Sequence, residues 1–167
     1  MSKTTDDLKA AFAGESQASR KYLYFAEKAD QEGFKRVARL FRAAAEAETV
    51  HARNHLRVMQ GIESTEKNLL TAIGGELHEF SEMYPEFIKD AQAENDKRAE
   101  DSFDKANKVE KIHHGLYADA LAKLKSAGTA ELKPFYVCTV CGYTVEGEAP
   151  DKCPVCNALK KLFKLVE

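Results

Sequence analysis

Hydrophobic residues recur at alternating spacings of three and four along most of the first 126 residues. That period places them on one face of an α-helix, with polar residues on the opposite face. Glycine, proline and polar clusters interrupt the pattern and divide it into four segments. Helices are therefore predicted over residues 4–32 and 34–60, from the end of the polar connection 61–67 to about residue 94, and from the weak break at 95–96 to about residue 126. Four helices of this length are typical of an up-down bundle rather than of a layered α/β fold.

A few residues set the expected boundaries of these helices. Gly33 and Gly61 are expected to end the first and second helices, and Gly128 the fourth. Pro85 lies inside the third helix and should kink it, because proline interrupts the hydrogen-bond ladder. The pair Asn95-Asp96 is a weak break signal between the third and fourth helices.

Each helix carries one glutamate on its apolar line, and two of these glutamates are followed three residues later by a histidine. That spacing puts the carboxylate and the imidazole on the same helix face, one turn apart. The chain also contains an internal repeat, in which AAFAGE at 10–15 aligns with TAIGGE at 71–76, 61 residues later. The residues are Glu15, Glu48 with His51, Glu76, and Glu110 with His113.

Four buried carboxylates need a cation nearby. Burying a single unpaired carboxylate costs several kcal/mol. The summed cost for four carboxylates is on the order of the whole stability of a domain. Four carboxylates and two imidazoles suit a pair of iron or manganese ions. One Glu-x-x-His by itself is usually part of a solvated face. Gly14 and Gly75, which precede two of the acids, indicate close helix approach around a small site, or a helix contact without metal.

Other polar residues near these positions have two interpretations. Glu79 follows Glu76 by one turn and is either a seventh ligand or a solvated acid. The phenols of Tyr22 and Tyr84 are either donors to the ligands or members of the core. The remaining histidines lack an acid partner at the repeat position. Two of them, His55 and His114, are predicted to be bundle or surface residues, and His78 is predicted to be exposed.

The character of the chain changes at residue 132, and we predict a domain of residues 1–131 followed by one of residues 132–167. The second is too short for an ordinary core and needs a metal for support. Two Cys-x-x-Cys pairs, separated by eleven residues, form a tetrahedral four-sulfur site for zinc or iron. The aromatic residues and the Gly142-Tyr143 and Cys153-Pro154 pairs resemble a rubredoxin, although Asn157 stands where glycine is common. The four cysteines are Cys138, Cys141, Cys153 and Cys156.

Composition narrows the function classes. The formal net charge is −2, so nothing favours nucleic acid or an anionic membrane as a partner. No apolar run is long enough for a signal peptide or a membrane span. We expect a soluble, cytoplasmic protein in which cysteines serve metal or redox chemistry rather than disulfides.

The whole chain resembles the rubrerythrin family. The motifs that carry this resemblance are AFAGESQASRKYLYFAEKA, AEAETVHARNH, GGELHEFSEMYPEF, VEKIHHGLY, and VCTVCGY with CPVC. The resemblance implies a ferritin-like bundle with a non-haem di-iron centre, followed by a rubredoxin-like domain with one iron bound by four cysteines. It also implies reduction of hydrogen peroxide to water in oxidative-stress defence. The electrons would come from an external NAD(P)H-dependent reductase or a rubredoxin, since the chain has no dinucleotide-binding motif.

The resemblance also implies roles for individual residues. Tyr22 and Tyr84 match positions close to the iron ligands, and the six glutamate and histidine positions above match the ligands themselves. Glu79 and His51 match a pair that exchanges at one iron as the redox state changes. We therefore expect His113 to be a permanent ligand and His51 a conditional one, displaced by Glu79 in the oxidised state.

The length of the last helix bears on electron transfer. From His113 to Ser126 the helix extends about 20 Å, so we expect a chain's own four-cysteine iron to lie far from its own di-iron site. A head-to-tail homodimer would bring the four-cysteine iron of the partner chain closer to the di-iron site. Helix pairs could also be exchanged between chains through residues 61–67. Two other functions remain open: ferritin-like iron oxidation and storage, or a non-enzymatic bundle with a structural zinc ribbon.

Overall fold

The computed structural model describes residues 2–126 and 133–166. The chain divides into two compact units, the first ending at residue 63 and the second beginning at residue 64. The predicted domain boundary at 131/132 and the predicted helix stop at Gly128 lie outside the described residues. None of the described helices combines the length and the apolar character needed to cross a bilayer.

The first unit is a helical hairpin. Helix α1 spans Lys3–Gln31 and α2 spans Lys35–Val58, within two residues of the predicted bounds. Gly33 makes the turn between them with φ +85°, a conformation that favours glycine. Across the turn, Asp30 accepts hydrogen bonds from Lys35 at 3.1 Å and Arg42 at 2.8 Å. These bonds lower the pKa of Asp30, the one from Arg42 most.

The contact between α1 and α2 is formed by alanines rather than by larger apolar residues. The fully buried alanines of α2 follow one another at intervals of seven, and two alanines of α1 are also buried. Small side chains let the two helix backbones approach closely, while the larger Val37 of α2 remains 44% exposed. The buried alanines are Ala26, Ala29, Ala38, Ala45 and Ala52.

The second helix ends in a way that differs from the prediction. The residue with a left-handed backbone is Gln60, at φ 57°, rather than Gly61. A Cβ atom at Gly61 would meet the side chain of Leu56, so a larger residue there would require that side chain to shift. The amide of Gly61 donates to the carbonyl of Leu56 at 2.9 Å and closes the helix.

The second unit begins with the predicted third helix, which is divided into three parts. Helix α3 spans Thr65–His78, a π-helical turn spans Glu79–Met83, and α4 spans Tyr84–Ala93. Pro85 lies in the first turn of α4, where its missing N–H is tolerated. Since proline cannot donate to the carbonyl four residues earlier, the irregularity falls just before Pro85 rather than at it.

Helix α5 spans Lys97–Lys125. The weak break signal before it is confirmed, because Asn95 has φ 59° and Asp96 caps α5. The Asp96 carboxylate accepts hydrogen bonds from the amides of Arg98 and Ala99, each at 3.0 Å.

A small sheet follows, and residues 133–166 are called the cysteine module below. Its strands are β1 Phe135–Cys138, β2 Thr144–Glu146 and β3 Phe163–Val166, with a 3₁₀ turn at Lys160–Leu162. The sheet order is β2-β1-β3, and both pairings are antiparallel. The ring centroids of Tyr143 and Phe163 lie 6.2 Å apart, so these two aromatic residues pack against each other inside the module.

The cysteine module lies against α5. A Cβ atom added at Gly142 would be 3.7 Å from Cγ1 of Val109, and Val109 is the buried residue of α5. The ammonium of Lys123 forms an ion pair with Glu146 at 3.1 Å. These contacts position the module beside the middle of α5, where Glu110 and His113 are found.

Candidate metal centres

The first ligand cluster consists of Glu15, Glu48 and His51 and belongs to the helical hairpin. Nδ1 of His51 lies 2.8 Å from Oε2 of Glu48, one turn earlier on α2. The same nitrogen lies 3.8 Å from Oε1 of Glu15 on α1. One ligand atom from each residue falls within 4.8 Å of the others, close enough to bind one ion.

The second ligand cluster consists of Glu76, Glu110 and His113 and repeats this geometry in the second unit. Nδ1 of His113 lies 2.8 Å from Oε2 of Glu110 and 3.9 Å from Oε2 of Glu76. The helix pairs therefore place equivalent atoms in equivalent positions, in agreement with the internal sequence repeat. In both clusters Nδ1 is the nitrogen that faces the carboxylates.

The second ligand cluster has the donor set of a metal site. Oε2 of Glu76 is buried, and the described residues supply no hydrogen bond to it. A buried carboxylate oxygen without a proton donor is costly unless a cation binds it. Carboxylate oxygens and imidazole nitrogens suit iron, so the residues fit an iron centre.

Burial raises the pKa of two acids in this region. Desolvation is the main reason that the pKa of Glu76 is raised, and the Glu110 carboxylate adds to it. The pKa of Glu79 is raised by desolvation and then by the Glu76 carboxylate. A raised pKa means that burial disfavours the charged forms of these acids, and a bound cation would favour the charged forms.

Glu79 is close to the second ligand cluster but is not a member of it. It begins the π-helical turn Glu79–Met83, a type of irregularity that is common at functional sites. Tyr84 follows that turn. Burial raises its pKa, and the carboxylates of Glu110, Glu79 and Glu76 add to this shift, which places the phenol in their field.

The other predicted residues make contacts of a different kind. Tyr22 packs in an aromatic group, with ring centroids 6.2 Å from Phe25 and 6.1 Å from Phe41. His78 is exposed, as predicted, and its Nδ1 lies 3.3 Å from Oε2 of Glu82. His114 packs edge-on against another ring of the second unit, and His55 is half-buried.

Thr144 is a residue that the sequence reasoning missed. Nε2 of His113 lies 3.0 Å from Oγ1 of Thr144, whose hydroxyl donates to the carbonyl of Gly142 at 3.0 Å. Because the Thr144 hydroxyl gives its hydrogen to the Gly142 carbonyl, it accepts from Nε2–H of His113 in this contact, an arrangement common for histidines whose other nitrogen binds a metal. The only sequence signal was that Thr144 follows Cys141 by three positions.

This hydrogen-bonded chain corrects one expectation. The four-cysteine site was expected to lie far from the glutamate–histidine pairs of its own chain, but Cys141 is adjacent to Gly142, which is joined through Thr144 to His113. The prediction was wrong for the second ligand cluster. It assumed that the module lies beyond the end of α5, whereas the module packs beside α5.

The four cysteines form a third cluster. Sγ of Cys138 lies 3.7 Å from Sγ of Cys156, and Sγ of Cys141 lies 3.6 Å from Sγ of Cys153. A tetrahedron with metal–sulfur bonds of about 2.3 Å has edges of about 3.8 Å, so the sulfurs fit a bound metal. Asn157 adopts φ 61°, which confirms that asparagine serves in place of glycine there.

Helices with paired glutamate–histidine ligands, followed by a four-cysteine β-module, define a class of non-haem iron proteins with two kinds of metal site. Comparison with family models supports this description. The Rubrerythrin model matches residues 6–121, and the rubredoxin-like domain of rubrerythrin matches residues 136–164. The chain belongs to the rubrerythrin family.

Relatives match over nearly their whole length. Rubrerythrin-2 of Clostridium acetobutylicum is 35% identical, with 96% of this chain and 95% of the relative covered. Nigerythrin of Nitratidesulfovibrio vulgaris is also 35% identical, over 96% of this chain and 85% of the relative. A solved structure of fully reduced, all-ferrous nigerythrin matches with a TM-score of 0.59 and 34% identity, covering 99% of this chain and 88% of that one.

These matches confirm the predicted fold class, mainly α with ferritin-like helices followed by a small rubredoxin-like domain. They also confirm the cofactors of the family for this chain: a di-iron centre and one iron bound by four cysteines. The members of this family are di-iron proteins of oxidative-stress defence.

Proposed function

We propose that this protein is a peroxidase that reduces hydrogen peroxide to water. The hydrogen-bonded chain from the cysteine module to His113 is the observation that carries the proposal. A zinc ribbon or an iron store needs no connection between a four-sulfur site and a carboxylate–histidine site. An enzyme that consumes electrons at one site and receives them at the other does.

In this proposal the two ligand clusters hold the di-iron centre, and the four cysteines hold the single iron. When bound, two ferrous ions supply the two electrons that, together with two protons, convert hydrogen peroxide into two molecules of water. Glu15, Glu48, Glu76, Glu110 and the two histidines are the proposed ligands, and Glu79 is the proposed seventh.

Glu79 and Tyr84 are the proposed groups for handling protons. Burial and the neighbouring Glu76 carboxylate raise the pKa of Glu79, and we propose that its carboxyl group carries protons near the reacting oxygens. The phenol of Tyr84 lies in the field of three carboxylates and can donate a hydrogen bond to one of them. Tyr22 is the proposed counterpart in the hairpin.

His51 and Glu79 are the proposed pair that exchanges with the redox state. The side chain of His51 is 54% exposed, against 26% for His113. The more exposed His51 has more room to move, whereas Nε2 of His113 is hydrogen-bonded to Oγ1 of Thr144. Glu79 lies beside the second ligand cluster, where a change of rotamer could bring its carboxylate to a metal.

The electrons that regenerate the ferrous state enter through the cysteine module. The proposed donor is an external reductase that oxidises NAD(P)H, or a separate rubredoxin. The proposed location of the reaction is the cytoplasm. The proposed assembly is a homodimer, either head-to-tail or with exchanged helices.

Anaerobic turnover tests the function. Protein with iron in both kinds of site, supplied with NADH and a rubredoxin reductase, should consume peroxide and NADH in equimolar amounts. The matched control carries zinc in the four-cysteine site and should not turn over, because zinc transfers no electrons. Accumulation of many irons per chain without NADH oxidation would instead indicate a ferritin-like store, and a colourless zinc protein would indicate a structural ribbon.

A further inference from the structure

We infer that Lys105 of α5 holds a positive charge beside the four-cysteine iron and raises the reduction potential of that iron. Lys105 is not a metal ligand, and it acts on the site through space as a fixed charge. This role needs only the iron bound by the four cysteines, and it does not depend on which substrate finally receives the electrons.

Lys105 lies on the part of α5 that the cysteine module covers. Val109, one turn later, is the buried residue of α5, and a Cβ atom added at Gly142 would be 3.7 Å from its Cγ1. Gly142 directly follows the ligand Cys141. Since residues four apart share one face of a helix, Lys105 extends from the face of α5 that contacts the module beside Cys141.

The side chain of Lys105 is more covered than those of the other ion-paired lysines described on α5. It is 31% exposed, whereas the others are between 45% and 76% exposed. Lysine normally keeps its ammonium group in water, and a charge that has lost part of that water is less screened from its neighbours. The more exposed lysines are Lys97, Lys108, Lys123 and Lys125.

An ion pair holds the ammonium group in place. Nζ of Lys105 donates a hydrogen bond to the carboxylate of Asp101, one turn earlier on α5. The Asp101 side chain is 62% exposed, twice as much as that of Lys105. Water therefore screens the carboxylate more than the ammonium, and the pair fixes Lys105 without cancelling its charge.

The charge of Lys105 interacts with two of the four sulfurs. The hydrogen bond to Asp101 is the main reason that the pKa of Lys105 is raised, and negative charge on Cys156 and Cys141 raises it further. An interaction between charges is mutual, so the ammonium also stabilises negative charge on these sulfurs. They are the two half-buried cysteines, whereas the other two are buried. Lys105 therefore acts on the less buried side of the four-sulfur site.

Reduction of the iron increases the negative charge of this site. Four thiolates around a ferric ion carry one net negative charge, and around a ferrous ion they carry two. A nearby positive charge stabilises the ferrous form more than the ferric form, and net charge near an iron–sulfur site is one of the factors that set its potential. Lys105 therefore favours the form of the four-cysteine site that holds an electron.

A potentiometric titration of the full-length, iron-loaded protein tests this role without an activity assay. Lys105→Met removes the charge and keeps most of the apolar length of the side chain. At a fixed applied potential, the ratio of ferrous to ferric four-cysteine iron should fall about tenfold, which corresponds to about 59 mV for one electron. The absorption of the ferric four-sulfur site gives this ratio. Lys105→Gln is a second neutral variant that should show the same fall.

Two further variants separate the charge from other effects. Lys105→Arg keeps the positive charge and should keep the wild-type potential. Lys108→Met is the matched control, because Lys108 forms the same type of ion pair, with Asp104 one turn earlier on α5, but its side chain is 56% exposed. Its removal should leave the potential unchanged.

Three results would overturn the inference. An unchanged potential in both neutral variants of Lys105 would show that its charge does not reach the iron. An equal fall for Lys108→Met would indicate the general charge of the surface, and the same fall for Lys105→Arg would indicate packing instead of charge. A protein that shows the expected shift but reduces no peroxide would contradict only the proposed function.

Discussion

The two ligand clusters have the same local geometry but different surroundings. In both, the histidine Nδ1 lies 2.8 Å from the glutamate one turn earlier on the same helix. In the second ligand cluster, however, the other nitrogen of His113 is fixed by Thr144 of the cysteine module. His51 of the first ligand cluster is instead mostly exposed. The two copies of the duplicated motif therefore have different neighbours, which supports the proposal that His113 is a permanent ligand and His51 one that can leave.

The largest effect is expected from the cysteine module itself. Cys153→Ser removes a fully buried ligand, and the four-sulfur site should lose its iron. Peroxide turnover with NADH should then fall more than about 100-fold, which exceeds the usual effect of a residue outside the ligand set. The di-iron absorption should remain, so that the loss can be assigned to electron delivery. Retained turnover would show that electrons bypass the module.

The next comparison concerns the histidines directly. His113→Ala should reduce di-iron occupancy in both redox states, because it removes the ligand that is proposed to stay bound throughout. If Glu79 replaces His51 in the oxidised state, as proposed, His51→Ala should reduce occupancy in the ferrous state but spare the ferric state. Metal analysis of the oxidised and dithionite-reduced proteins separates these outcomes. Equal losses for the two variants would contradict the proposed division of roles.

A smaller effect is expected at Thr144. Thr144→Val keeps the shape of the side chain but removes the hydroxyl that accepts from His113 and donates to Gly142. Electron transfer from the four-cysteine iron to the di-iron centre should slow by about 10- to 100-fold, as measured by stopped-flow absorption. Thr144→Ser keeps the hydroxyl and is the control that should retain the native rate. A native rate in the valine variant would remove Thr144 from the path.

The smallest effect is expected at the buried alanines between α1 and α2. Ala45 is almost completely buried there. Ala45→Leu should therefore overpack this contact and destabilise the hairpin by about 1–3 kcal/mol. Thermal unfolding measured by circular dichroism should show this loss. The absorption of the cysteine module should not change, because that module belongs to the other unit. Ala43, which is exposed on the same helix, provides a control position for the same substitution.

The local parts of the structure could be predicted from the sequence. The helical period put Glu48 with His51 and Glu110 with His113 on shared faces, because residues three apart on a helix are neighbours whatever surrounds them. The two Cys-x-x-Cys pairs predicted the tetrahedral sulfur site for a similar reason. The turn at Gly33 and the cap at Asp96 follow from backbone preferences of single residues.

Contacts between distant segments were decided only by the tertiary structure. No helical period indicates that α1 and α2 close on alanines, since Ala45 and the larger Phe41 are both apolar and packing must choose between them. The π-helical turn depends on how the chain accommodates Pro85 among its neighbours. The contact between His113 and Thr144 joins residues 31 positions apart. It exists because the cysteine module packs beside α5, a non-local arrangement that the pattern along one helix does not encode.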